Sequence, residues 1–157
     1  MQTWELVARE AIRETVAAYA WAADHGKFDD VAACFTDDGV LAVHGEAPLV
    51  GAAAIRAFLG GVGDDLRAGG APRLIRHHTT NLQITVDSRS AARARCYFLV
   101  VSAAGLDHWG RYRDDLVPGG GRWLLARREV RTDGRVPGGF ADARLRDHAA
   151  PDERTSR

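Results

Sequence analysis

Leu6, Val7, Ile12, Val16, Tyr19 and Ala20 recur at helical spacing near the start of the chain, with Thr3 placed to cap them and Glu5 in the favourable first turn. The pattern predicts a helix running to about Asp24 and punctuated by Gly26. Phe28, Val31, Ala32 and Phe35 form a second, shorter amphipathic stretch that stops at the turn Thr36, Asp37, Asp38, Gly39, completing a helical hairpin. Val40, Leu41, Ala42 and Val43 read as a short strand, followed by a loop through Pro48 and Gly51 and a third helix from Ala52 to about Leu59. From Gly60 to Pro72 glycine and charge dominate, which predicts a mobile loop near the mouth of a pocket.

The periodicity then changes. Strand-like runs cover residues 76–86, 91–102 and 109–116, the last paired through a turn at 118–121 with a further run at 123–131. Helices first and long strands afterwards predict an α+β fold, with helices covering one face of a curved antiparallel sheet. In the first of these runs His78, Thr80, Leu82, Ile84 and Val86 fall on one face, and His77, Thr79, Asn81, Gln83 and Thr85 on the other. A regular strand would therefore turn His78 to the core, unless a bulge near its start shifts the alternation. Residues 1–135 are read as one domain and residues 136–157, rich in charge, Gly and Ala, as a loosely ordered tail.

Composition narrows the function. The 157 residues carry 21 basic and 21 acidic side chains spread along the chain, so no electrostatic footprint favours nucleic acid or an anionic membrane. A small neutral or apolar ligand is the expected partner. Cys34 and Cys96 are far apart and match no metal or redox spacing, which predicts two small buried side chains in a reduced, cytoplasmic setting. The N-terminus lacks a basic segment followed by an apolar one, and no run approaches the roughly 18 apolar residues of a membrane span. Phosphate-binding glycine loops, serine-nucleophile motifs and paired histidines at ligand spacing on a helix are not recognisable. Neither a cofactor nor a metal is expected.

Three local patterns occur in order: Tyr19 and Asp24 followed by Phe35-Thr36-Asp37-Asp38-Gly39; Arg76-His77-His78-Thr79-Thr80-Asn81; and Gly110-Arg111-Tyr112 leading to Trp123 and Arg128. Together they resemble the SnoaL-like family of the nuclear transport factor 2-like superfamily, which includes scytalone dehydratase, bile acid 7α-dehydratase and hexachlorocyclohexane dehydrochlorinase. The resemblance implies a cone-shaped sheet with helices on its concave side, a cystatin-like α+β barrel. It also implies a homo-oligomer, dimer or trimer, built through the sheet.

The resemblance further implies that Asp24 orients His77 as a general base toward an acidic C–H, the carboxylate holding one imidazole tautomer and stabilising the imidazolium. The adjoining His78 is the competing histidine from the residues alone. Tyr19, five residues before Asp24, resembles a group that steadies a developing anion, and Arg128, five after Trp123, resembles one that helps a leaving group depart. The competing accounts are a core aromatic for Tyr19 and a solvated charged face for Arg128. His108 is a candidate second acid, and Trp21, Phe58, Tyr97 and Trp109 are candidate pocket walls. The implied activity is a cofactor-independent dehydratase-type lyase acting on a hydrophobic cyclic metabolite such as a polyketide or steroid intermediate. An isomerase or cyclase using the same dyad, and a non-catalytic carrier or subunit of a larger enzyme, are the alternatives.

Overall fold

A computed structural model describes residues 1–68 and 74–142. Helix α1 spans Thr3–Asp24 and buries Ile12, Val16 and Tyr19, as the helical spacing predicts. The cap falls one residue earlier than expected. Gln2 precedes the helix, and the Glu5 carboxylate accepts its backbone N–H at 2.8 Å. The short helix α2, Phe28–Ala32, closes the hairpin.

Strand β1, Phe35–Val43, absorbs the predicted turn. Phe35 pairs with Leu125 and Val40 with Arg127, so the residues between them loop out as an irregularity inside the strand instead of preceding it. Gly39 makes that excursion possible, because a Cβ there would lie 2.8 Å from the Phe35 Cβ and 2.9 Å from the Thr36 carbonyl oxygen. A two-residue strand β2, Leu49–Val50, pairs with β1.

Helix α3 runs Ala52–Ala68, well past the predicted end near Leu59. The expected loop from Gly60 is helical through residue 68, and residues 69–73 lie outside the described set. Its glycines each cost a helix about 1 kcal/mol relative to alanine. Against this, Ile55, Phe58 and Leu59 form an i, i+3, i+4 stripe that packs against the core, with half-buried Val62 at i+7 continuing the spacing, and burial overrides propensity.

Four long strands follow: β3 Ile75–Val86, β4 Ala92–Ser102, β5 Gly105–Gly119 and β6 Arg122–Arg135. With β1 and β2 they form a curved, unclosed six-stranded sheet in the order β2-β1-β6-β5-β4-β3. The sheet is mixed, where a purely antiparallel one was expected, because β1 lies parallel to β6. That pairing is reached by the long excursion of the chain through α3 and the β3–β5 meander.

The inner face of the sheet and the helices enclose one large core built around Ile12, Val31, Leu41, Ile55, Leu116 and Leu125. A second, smaller cluster of Cys96, Phe98, Val100 and Tyr112 lies further along β4 and β5. Residues 136–142, assigned from the sequence to a loose tail, turn back onto the sheet and bury Ala141 and Asp142. Residues 143–157 lie outside the described set.

Candidate active site

Three of the sheet's register shifts decide which of the site residues face the inside. In β3 the pairing jumps from Thr80 with Tyr97 to Gln83 with Arg95, so β3 carries one more residue than β4 between these pairs. Asn81 takes the extra position with φ 55, the left-handed region that asparagine tolerates better than most residues. The consequence is that His77 shares the inner face with Leu82 and Ile84, while His78 is exposed on the other side. The conflict between strand alternation and the family pattern is resolved in favour of His77.

His77 meets the end of α1. Its Nδ1 lies 2.6 Å from Asp24 Oδ1, and the same carboxylate accepts the His77 backbone N–H at 3.0 and 3.3 Å. Since a carboxylate only accepts, Nδ1 carries the hydrogen, which in the neutral ring leaves the lone pair on Nε2. The Asp24 side chain is 7% exposed and that of His77 20%, so the acid is enclosed and the imidazole edge is reachable. These backbone and ring contacts give Asp24 the partners that a carboxylate at a helix C-terminus requires.

A second bulge builds a second His–Asp pair. Val100 opposes His108 and Val101 opposes Leu106, leaving Asp107 as the extra residue of β5. Adjacent residues of a regular strand point to opposite faces, but here Asp107 and His108 both turn inward, with His108 Nδ1 2.7 Å from Asp107 Oδ1. Again the carboxylate is enclosed, at 5%, and the ring partly open, at 17%. His77 pairs with Val100 and Val100 with His108, so the two imidazoles stand in one row across three strands. Two strand spacings put their backbones about 10 Å apart. Phe98 meets the His108 ring edge-on at 5.8 Å and stacks on Tyr112 at 4.6 Å, forming an aromatic wall beside the row. Burial holds His108 below the ordinary imidazole range, the Asp107 hydrogen bond opposes that, and the nearby His77 adds to it.

The third bulge places Arg128. Asp115 opposes Arg127 but Leu116 opposes Leu125, so Ala126 is extra and the inner face of β6 passes from Trp123 and Leu125 to Arg128. Arg128 is fully buried and forms two parallel hydrogen bonds to Asp114, at 2.8 and 2.7 Å. Its guanidinium carbon lies 4.1 Å from the Tyr19 ring centre and 4.3 Å from that of Tyr112. The solvated charged face considered from the sequence is therefore Arg127's position, not Arg128's. Arg128 is thus enclosed between two rings and a carboxylate, with its Nη1 buried and without a hydrogen-bond partner among the described residues. Tyr19 is 6% exposed, and burial raises both its hydroxyl and that of Tyr112, leaving two neutral phenols beside the buried cation.

The expected pocket walls fare unevenly. Trp21 is 67% exposed, its ring against His25 on the outer side of α1. Tyr97 and Trp109, 55% and 40% exposed, lie on the outer face, since β4 turns Cys96, Phe98 and Val100 inward and β5 turns Gly110 and Tyr112 inward. Trp109 instead covers Gly134 of the neighbouring strand, where a Cβ would come within 2.3 Å of its ring. Phe58 packs half-buried against the main core. Sequence reasoning missed Phe98, Tyr112, Asp107 and Asp114. A carboxylate between Tyr112 and Leu116 on the apolar face of β5 was the available signal for Asp114, because such a charge requires a partner. Among the described residues no cluster of three or more potential metal ligands occurs, and no helix is long and apolar enough to cross a membrane.

The SnoaL-like domain model matches residues 4–129. The chain belongs to the SnoaL-like family. A search of curated protein sequences finds no match. Among solved structures, a Mycobacterium tuberculosis protein of unknown function is 25% identical with a TM-score of 0.75, covering 92% of this chain and 87% of its own. A candidate scytalone dehydratase of Novosphingobium aromaticivorans is 26% identical, TM-score 0.74, with 87% of this chain and 91% of that one covered. A Catenulispora acidiphila protein in complex with S-DNPA is 32% identical, TM-score 0.67, covering 82% and 95% respectively. SnoaL-like proteins share the nuclear transport factor 2-like, cystatin-like architecture described above.

Proposed function

We propose that this SnoaL-like protein is a cofactor-independent lyase of the dehydratase type, acting on a hydrophobic cyclic small molecule. The observation that carries the reading is the 2.6 Å contact of His77 Nδ1 with an enclosed Asp24, which leaves Nε2 of a partly open imidazole as a base. In the proposed step Nε2 takes a proton from a carbon next to a carbonyl or aromatic ring. The C–H electron pair becomes the new C=C bond as the neighbouring C–O bond breaks, and the His77 imidazolium delivers the same proton to the departing hydroxyl, releasing water on the same face. Asp24 stabilises the imidazolium during its lifetime.

His108 suits a different task from His77. Held neutral by burial, with Nδ1–H given to Asp107, it offers Nε2 as an acceptor for the substrate hydroxyl. A positive charge on His77 disfavours one on His108. Phe98, Val100 and Tyr112 supply the apolar wall that a ring system would lie against. The candidate scytalone dehydratase among the similar structures supports the same reaction class. Kinship with isomerases and cyclases lies in the shared proton abstraction, and product mass separates them: loss of water marks the lyase. Screening cyclic hydroxy-ketones with the wild-type chain and the His77→Gln and Asp24→Asn variants tests the reading. Expected is dehydration by the wild type that drops by about 10²–10⁴-fold in each variant at unchanged secondary structure. Product of unchanged mass, or variants as active as the wild type, would count against it.

We also infer that the outer sheet face receives a second copy of the chain. There Tyr97, Leu106 and Trp109 are exposed beside a mixed field of Arg93, Arg113, Arg127, Asp115 and Glu129, a surface that can be complementary to itself. Light scattering on the purified chain and on a Trp109→Glu variant tests this, a monomeric wild type being the contrary result.

A further inference from the structure

Asp107 does more than face His108. Its Oδ2 accepts the Phe140 backbone N–H at 2.7 Å and its Oδ1 the Ala141 N–H at 3.1 Å, in addition to the 2.7 Å contact with His108 Nδ1. The Asp107 carbonyl accepts the Val136 N–H at 2.8 Å, and Gly139 passes so close that a Cβ there would be 2.7 Å from Asp107 Oδ2. One enclosed carboxylate thus serves three N–H donors, one from the site and two from residues 136–142. That segment is fastened a second time by Asp142, which accepts from Arg135 Nε at 2.8 Å and from the Gly138 N–H at 2.9 Å.

We propose that Asp107 is a positioning residue that couples the orientation of His108 to the docking of the strap formed by residues 136–142, making that strap a working part of the substrate site. The proposal rests on the reading of His108 as the group that orients the substrate hydroxyl. Its physical basis is competition for one acceptor. A carboxylate giving lone-pair density to two amides holds the imidazole less tightly than one that has lost an amide, and its hold on the amides depends in turn on the imidazole, since such coupling is reciprocal. Asparagine cannot substitute. With one carbonyl oxygen and an NH₂ that is itself a donor, it must leave at least one of the three N–H groups facing another donor.

Besides Asp107, His77 from β3 acts on His108, and three further charged groups surround them: Asp24 paired with His77 from α1, Arg135 opposite His108 in register on β6, and Asp142 of the strap paired with Arg135. None of them is altered in the variants chosen. The full-length chain is followed by NMR of the imidazole nitrogens, with His108 assigned through a His108→Gln variant. Phe140→Pro deletes one amide donor at the start of a helical turn, where proline is tolerated, and Phe140→Ala controls for the lost ring. Asp107→Asn removes the charge. Expected is a His108 titration midpoint higher in Phe140→Pro than in Phe140→Ala, and lower in Asp107→Asn than in the wild type, with faster amide exchange at Phe140 and Ala141 in Asp107→Asn. His77 should move far less in each. Midpoints that stay put, or shift in the same direction in both variants, overturn the coupling. If Asp107→Asn fails to fold, the two Phe140 variants decide alone. Turnover is read separately: opposite shifts in a chain that dehydrates no cyclic substrate keep the coupling and reject the lyase reading. In an active chain, Asp107→Asn raises KM more than it lowers kcat.

Discussion

Arg128 and Asp114 are both completely enclosed, so each is tolerable only because the other is there. Replacing Arg128 with Met leaves a carboxylate buried without its cation and is expected to cost about 3–5 kcal/mol of stability, while Arg128→Met combined with Asp114→Leu recovers most of it. Urea unfolding of the two variants checks this, and equal losses would show that the pair's role in the core has been misjudged. His108 gives a pH dependence of definite sign. Burial depresses its folded value below that of the unfolded chain, so the unfolded state binds the proton more readily and stability falls as pH drops from neutrality through the folded value. His108→Gln removes that contribution. The difference in urea midpoint between pH 7 and pH 5 is therefore expected to be smaller in His108→Gln than in the wild type. Neither effect could be assigned from the sequence, because a charge on an apolar face announces that it needs a partner without saying which.

At the scale of the elements, the bulges decide the chemistry. Asn81 sits at φ 55, so Asn81→Gly is expected to be tolerated whereas Asn81→Val costs about 1–2 kcal/mol, read as a shift in thermal or urea midpoint. A valine variant as stable as the wild type would mean that the bulge moves elsewhere. The lengths of α1, β3 and β4 were legible from apolar periodicity, as was the pairing of β5 with β6 through a tight turn, whereas β5 and β6 extend several residues beyond the expected runs 109–116 and 123–131. The bulges were not legible, apart from the one raised near the start of β3 to reconcile strand alternation with the family pattern. Each inserts a single residue, which reverses every side chain beyond it, and nothing local distinguishes Asn81, Asp107 or Ala126 from an ordinary strand residue. Tyr97 is a different case: β4 alternates without interruption, so Ala92, Ala94 and Cys96 already place Phe98, and not Tyr97, on the inner face. The end of α3 was misread for a related reason: three glycines signal a loop locally, and only the sheet beneath them rewards a helix.

Across the whole molecule, both cysteines are buried and free, and burial raises the Cys34 thiol and pushes Cys96 up to about 11. At pH 8 the native chain is expected to resist iodoacetamide and to take up two equivalents once urea unfolds it, as intact mass will show; rapid labelling in the absence of urea contradicts the packing. The sequence by itself determined the α+β class, the order of helices before strands and the family, because each depends on periodicity or on short motifs read within single segments; the resemblance singled out Asp24 and His77, and the residues alone left His78 open beside them until the bulge at Asn81 turned His77 inward. Tertiary structure alone decided that β1 runs parallel beside β6, that Asp107 and Asp114 are buried partners, that Arg128 belongs to the core, and that residues 136–142 return to the site. These are relations between segments far apart in the chain, and a register set by single-residue bulges across neighbouring strands leaves no periodic trace in any one of them.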